Sequence, residues 1–167
     1  GDEIGMVDVP IPPERRQDLW AENLPHTGRD PCRTPMQWSG GPNAGFSPPQ
    51  AEHLWLPLAD DYDSVNVERQ LDEPTSLLNL YRELLSYRRS TPALAVRSYR
   101  PIEGVPQACY AFRRETDEEQ ILVVLSFSDQ EQHLAIPSPK QGMIALSTYL
   151  DRTGNVDLSA LSLRGNE

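Results

Sequence analysis

The sequence predicts an α+β fold in two parts, on three observations: a proline-crowded opening without periodicity, one stretch of helical spacing, and a series of short β-prone runs after it. Ten of the sixteen prolines fall in the first 57 residues. Proline fixes φ and removes a hydrogen-bond donor, so residues 7 to 57 carry neither a long helix nor a central strand. An irregular stretch of that length stays ordered as a functional loop held by a scaffold. No scaffold precedes it here, and one is expected upstream of Gly1.

The pattern changes after the acidic segment "DDYDSVNVERQLDE". Pro74, Thr75 and Ser76 supply helix-start signals, and Leu77, Leu80, Tyr81, Leu84, Leu85 and Arg88 recur at helical spacing, which predicts a helix over residues 75–90. Arg88 and Arg89 suit the negative end of its dipole, and Pro92 stops it. Its apolar face needs a partner. Beyond Pro92 the runs "VRSYRPI", "ACYAFRRE", "QILVVLSFS", "QHLAIP" and "GMIALSTYL" predict five strands of an antiparallel sheet, with "RETDEEQ" as a hairpin loop. The expected division places a loop-and-helix part at 1–96, with its loop over 7–74, and a β domain at 97–167.

Composition excludes several function classes. Twenty-five acidic residues against fifteen basic ones repel phosphate backbones, and no Lys/Arg-rich block is present for nucleic acid or anionic lipid. No apolar run approaches the ~20 residues that span a bilayer. Cys32 and Cys109 lie far apart without a CxxC partner or a histidine pair, so neither a disulfide framework nor a zinc site is signalled, and a reducing, cytoplasmic setting is expected. "DDYD" lacks the alternation and the glycine of a calcium loop and reads as a solvated acidic surface. No metal or cofactor is expected. His26, His53 and His133 are isolated from any serine or cysteine partner signature. The opening "GDEIGMVDVP" and the closing "LSLRGNE" read as the ends of a piece cut from a longer chain.

"GDEIGM", "GRDPCRTPMQW", "NAGF", "WLPLADDYDSVNVERQ" and "SLLNLYRELLSYRRSTPAL", in this order and spacing, resemble the C-terminal third of the alpha-glucosidase and oligo-1,6-glucosidase branch of glycoside hydrolase family 13. The resemblance implies the last βα unit and the long eighth loop of a (β/α)8 barrel, followed by an antiparallel β domain that lacks its final strand. "GDEIGM" would leave the eighth barrel strand, and the helix at 75–90 would be the eighth helix. It implies a parent enzyme that cleaves alpha-linked gluco-oligosaccharides through carboxylates on earlier barrel strands. This chain would hold no catalytic residue, and its partner would be the missing barrel part or a second copy. A non-catalytic relative, such as an amino-acid-transporter heavy-chain ectodomain, and a free-standing carbohydrate-binding β module are the alternatives.

The resemblance also implies that Arg33 reaches the sugar, and a planar guanidinium can fork onto two vicinal hydroxyls. Gln37 and Trp38 offer a hydrogen bond and a stacking face, or else a wedge under the loop, and the same two readings hold for Trp20 and Trp55. Arg29 and Asp30 read as an internal loop clamp. Asp2 and Glu3 are consecutive carboxylates whose side chains diverge at a strand end, and Glu3 is assigned to support of the barrel mouth.

Overall fold

A computed structural model of the chain describes residues 1–18, 28–95 and 98–167. Trp20 and His26 lie outside the described residues. Two compact units, Gly1–Tyr81 and Arg82–Glu167, divide the chain.

The first unit is built from turns, as its prolines require. Single 3-10 turns cover Asp2–Ile4, Pro13–Arg15, Asp30–Cys32 and Pro42–Gly45, and three of the four carry proline at their first or second position. The sequence reading ran loop to residue 74, but the structure forms a helix, α1, over Val67–Asp72. Asn66 nucleates it: its side chain accepts a hydrogen bond from the Arg69 N–H at 2.9 Å, an N-cap that satisfies one orphan donor.

Helix α2 spans Leu77–Ser90, within the expected range. Ser76 caps it, Oγ accepting from the Asn79 N–H at 3.2 Å. Pro92 begins a separate short helix, α3, over Pro92–Ala95. Leu80 is the buried residue of α2, while Leu77, Tyr81, Leu84 and Leu85 on its apolar side are exposed.

Among the described residues seven strands follow in the second unit: β1 (Arg100–Pro101), β2 (Cys109–Glu115), β3 (Gln120–Ser126), β4 (Gln132–Leu134), β5 (Gln141–Ile144), β6 (Gly154–Asp157) and β7 (Leu161–Leu163). They form three antiparallel sheets, β1-β2-β3, β4-β7 and β5-β6, where the sequence predicted one sheet of five strands. The β2–β3 hairpin runs in register from Cys109↔Ser126 to Glu115↔Gln120, and Thr116 closes its turn by donating its N–H to the Glu119 carbonyl at 2.9 Å. β5 is shorter than "GMIALSTYL" suggested, because a turn intervenes after it: the Leu150 N–H donates to Ser147 O at 2.9 Å and Leu150 takes a φ of 55°. β6 and β7 escaped the reading because "GNVD" is polar and "LSL" spans only three residues. Leu134, Ile136, Leu158, Leu161 and Leu163 make the core of this unit, packed against Ile102, Val105, Leu122, Val124 and Val156. Cys109 is buried, which pushes its thiol pKa up, and Cys32 is exposed.

Candidate functional site

Three polar devices fold the residues that the sequence singled out. The first holds the turn Asp30–Cys32. Asp30 is 4% exposed, and its Oδ2 accepts hydrogen bonds from the backbone N–H groups of Gln17 at 2.7 Å and Asp18 at 2.9 Å. Asp18 reciprocates, its Oδ2 accepting from the Arg29 N–H at 2.9 Å and from Arg29 Nε at 3.0 Å. The Asp18 hydrogen bond raises the Arg29 pKa. Arg29 and Asp30 thus each fasten onto residues 17–18. Arg33 follows as the cap of this turn, with its N–H donated to Asp30 O at 3.0 Å. Its side chain is exposed and makes no hydrogen bond or ion pair with another described residue.

The second device is "NAGF". Asn43, Ala44 and Gly45 take φ values of 55°, 53° and 66°, three successive residues in the left-handed region. Glycine and asparagine tolerate that region, whereas alanine there is strained. Ala44 is fully buried, and its carbonyl accepts from both the Trp38 N–H at 2.8 Å and the Ser39 N–H at 3.0 Å. Asn43 Nδ2 donates to Pro48 O at 2.9 Å and fixes the outgoing chain. A Cβ on Gly45 would sit 2.7 Å from Ser39 Oγ and 3.3 Å from Trp38 Cβ, so a side chain there would meet crowding in addition to the unfavourable φ.

The third device ties that loop to α1. The Val67 N–H donates to Gln37 O and the Glu68 N–H to Trp38 O, both at 3.0 Å. Gln37 is completely buried, with Nε2 donating to Val65 O at 2.6 Å and to Asp61 Oδ1 at 3.4 Å. The Gln37 carboxamide faces the loop interior, onto Val65 and Asp61. Trp38 beside it is 51% exposed, and Trp55 is 66% exposed. Gln70 extends the network: Nε2 donates to Ile4 O at 2.7 Å and Oε1 accepts from the Leu78 N–H at 3.0 Å.

Asp2 and Glu3 occupy a 3-10 turn instead of the expected strand end. The turn closes on local hydrogen bonds, from the Ile4 N–H to Gly1 O and from the Gly5 N–H to Asp2 O, both at 3.1 Å. Glu3 is half-buried, and its carboxyl pKa is lowered, first of all by a backbone hydrogen bond. Among the described residues no group of three His, Cys, Asp or Glu side chains could hold a metal ion, and no helix is long and apolar enough to cross a membrane.

Sequence reasoning singled out Arg33, Gln37 and Trp38 but missed Asn66 and Gln70. The start signal at Asn66 was legible as an N-cap before "VERQ"; the burial of Gln70's partners was not, since it depends on residues 66 positions away. The structure brings Gln37, Trp38 and "NAGF" into one hydrogen-bonded loop, with Arg29, Asp30 and Arg33 on the neighbouring turn.

The family described as the alpha-amylase catalytic domain matches residues 1–96. The chain belongs to the alpha-amylase family, glycoside hydrolase family 13. It is 40% identical over 124 residues to the trehalose synthase/amylase TreS of Mycolicibacterium smegmatis, covering 72% of this chain and 18% of TreS. It is 29% identical over 157 residues to the oligo-1,6-glucosidase of Parageobacillus thermoglucosidasius, covering 82% of this chain and 27% of that enzyme. Among solved structures it resembles the alpha-glucosyl transfer enzyme XgtA, with a TM-score of 0.80 at 29% identity, over 99% of this chain and 30% of XgtA. The Bacillus licheniformis trehalose-6-phosphate hydrolase TreA gives a TM-score of 0.81 at 25% identity, over 99% and 33% of the two chains. The chain therefore spans less than a third of the length of the curated relatives it matches.

Proposed function

We propose that this chain is the C-terminal portion of a glycoside hydrolase that cleaves alpha-glucosidic bonds in short gluco-oligosaccharides, and that the catalytic carboxylates lie outside it. Residues 1–96 then complete a (β/α)8 barrel with the long eighth loop, and the sheets after them form the appended β domain. The observation that carries this reading is the loop itself. "RTPMQW" and "NAGF" are folded onto each other around a strained, buried Ala44, leaving Arg33 and Trp38 exposed. A rigid loop that presents a forked donor and an aromatic face has what recognition of a sugar requires: two vicinal hydroxyls for the guanidinium and a pyranose face for the ring. The partners implied are the sugar and the barrel part of the parent enzyme.

Arg33→Lys tests the reading in the parent enzyme. Lysine keeps the charge and loses the fork, so charge-assisted hydrogen bonds worth ~1.5–3 kcal/mol are lost, a roughly ten- to hundredfold fall in kcat/KM on maltose. The melting temperature should stay within a degree or two of the parent's, because the Arg33 side chain is exposed and makes no hydrogen bond or ion pair with a described residue. Near-normal kinetics would remove Arg33 from the sugar site. In the same assay the 167-residue chain alone should give no turnover of p-nitrophenyl alpha-glucoside above a matched blank, since a two-carboxylate mechanism needs a nucleophile and an acid that this reading places elsewhere.

A further inference from the structure

A buried amide with one unused oxygen immediately precedes the exposed tryptophan in the chain. Gln37 Nε2 is spent on Val65 O at 2.6 Å and Asp61 Oδ1 at 3.4 Å, whereas Gln37 Oε1 is buried with no partner among the described residues. Leaving a buried acceptor unpaired is costly, so the side chain is retained for what its other contacts fix. They fix the chain at Asp61 and Val65, just ahead of α1, and the backbone of residues 37 and 38 is bonded to the start of α1 as well. The Gln37 carbonyl holds the Val67 N–H, the Trp38 carbonyl holds the Glu68 N–H, and the Trp38 N–H is held by Ala44 O. The peptide carrying Trp38 is thereby gripped from the α1 side and from the "NAGF" side at once, while its ring stays half in solvent. A side chain at zero exposure does not touch a sugar in this conformation, but it can set the angle at which its neighbour does.

We propose that Gln37 is a positioning residue: it orients Trp38 for stacking on the alpha-linked sugar through its amide bond to Val65, and makes no sugar contact of its own. This rests on the sugar-site reading of Trp38 given above. It differs from a general stabilising role, because the kinetic effect of Gln37 passes through one named ring.

The test is a double-mutant cycle in the parent enzyme with Gln37→Met, which keeps length and apolar bulk but loses the amide, and Trp38→Ala. Gln37→Met alone should raise KM for maltose roughly three- to tenfold, the loss of one ordinary hydrogen bond. Added to Trp38→Ala it should change KM less than twofold, since the ring it orients is gone. Fluorine NMR of fluorotryptophan-labelled protein supplies a readout independent of turnover. The Trp38 resonance, assigned by its disappearance in Trp38→Phe, should shift and broaden in Gln37→Met. Additive effects in the cycle, or a Trp38 resonance unmoved by Gln37→Met, would overturn the proposal and leave the sugar-site reading standing. Normal kinetics in Trp38→Ala would overturn the sugar role of Trp38 itself, and this proposal with it. If Gln37→Met fails to fold, Gln37→Leu replaces it in both measurements, because it loses the amide and brings no charge into the buried site.

Discussion

The two compact units hold together by different means. Gly1–Tyr81 buries polar side chains, with Asp30, Gln37, Asn66 and Ser76 among its innermost groups, and each bonds to backbone several residues away. Arg82–Glu167 also buries Thr91, Ser126, Ser147 and Glu167, but its core cluster is leucine and isoleucine between short paired strands. The contrast follows from composition. Prolines disfavour a ladder in the first unit, and among its described residues backbone N–H and C=O groups pair in isolated turns and with amides and carboxylates placed one at a time. A ladder satisfies backbone groups repetitively and leaves the side chains free to be apolar. The stapled unit is consequently specific at single residues, and the laddered unit is tolerant wherever volume is kept.

The largest expected effect lies in the apolar unit. Ile136 is 1% exposed within the Leu134, Leu158, Leu161 and Leu163 cluster, so Ile136→Ala should lose about 2–5 kcal/mol, read as a lower urea midpoint. Amide exchange locates the loss: β4 and β7 should lose protection while the N–H groups of Trp38 and Ser39 keep theirs. Ile136→Val should cost much less, about 0.5–1.5 kcal/mol. An Ile136→Ala protein whose Trp38 and Ser39 amides open first would erase the distinction drawn between the units.

A smaller loss is expected in the stapled unit, and there volume is no protection. Asp30→Ala strips the acceptor from the Gln17 and Asp18 N–H groups, each left without its hydrogen bond, at a cost of about 1.5–3 kcal/mol. Asp30→Leu, larger and more apolar, should be no better, in contrast with the exchange of one aliphatic residue for another at Ile136. A thermal melt of the three proteins decides, and recovery in Asp30→Leu would show that burial rather than the hydrogen bond matters at this position.

This division also marks what was legible in the sequence. Helix α2 could be read because its leucines repeat at 3.6 residues and its ends carry serine, arginine and proline signals, all local properties. The β2–β3 hairpin could be read for the same reason, with two seven-residue runs around a polar turn. β6, β7 and the split into three sheets depend on pairings between distant short segments, β4 with β7 above all, and no local pattern carries those. In the first unit the motif "RTPMQW" drew attention to Gln37, but the direction of its carboxamide is decided by Asp61 and Val65, more than twenty residues on. Composition could exclude helix and strand there. It could not say which polar groups turn inward.

The smallest expected effect tests how much the polar cluster at the end of the apolar unit adds to its core. The Arg164 guanidinium forks onto Asp151, NH1 to Oδ2 at 2.6 Å and NH2 to Oδ1 at 2.7 Å, while NH2 also meets Glu167 Oε1 at 2.9 Å and the guanidinium lies 4.4 Å from the centre of the Tyr149 ring. The Arg164 hydrogen bonds bring the Asp151 pKa down to about 2, against the opposing pull of burial. A carboxyl whose folded pKa lies below its unfolded value of about 3.9 stabilises the fold above that unfolded value and ceases to do so as the pH falls through the folded one. The contribution of Asp151 should therefore be complete above about pH 4 and fade towards about pH 2. The two side chains are 46% and 41% exposed, so solvent and salt screen the pair and the change in stability should be slight. NMR titration of the Asp151 carboxyl should give a midpoint near 2 at low salt that climbs when salt is added. Asp151→Asn should flatten the acid limb of the stability curve while leaving the neutral plateau nearly unchanged. A midpoint close to 4 in the folded protein would mean that the fork onto Asp151 does not persist in solution, and the second unit would then hold by its ladders and apolar core without it.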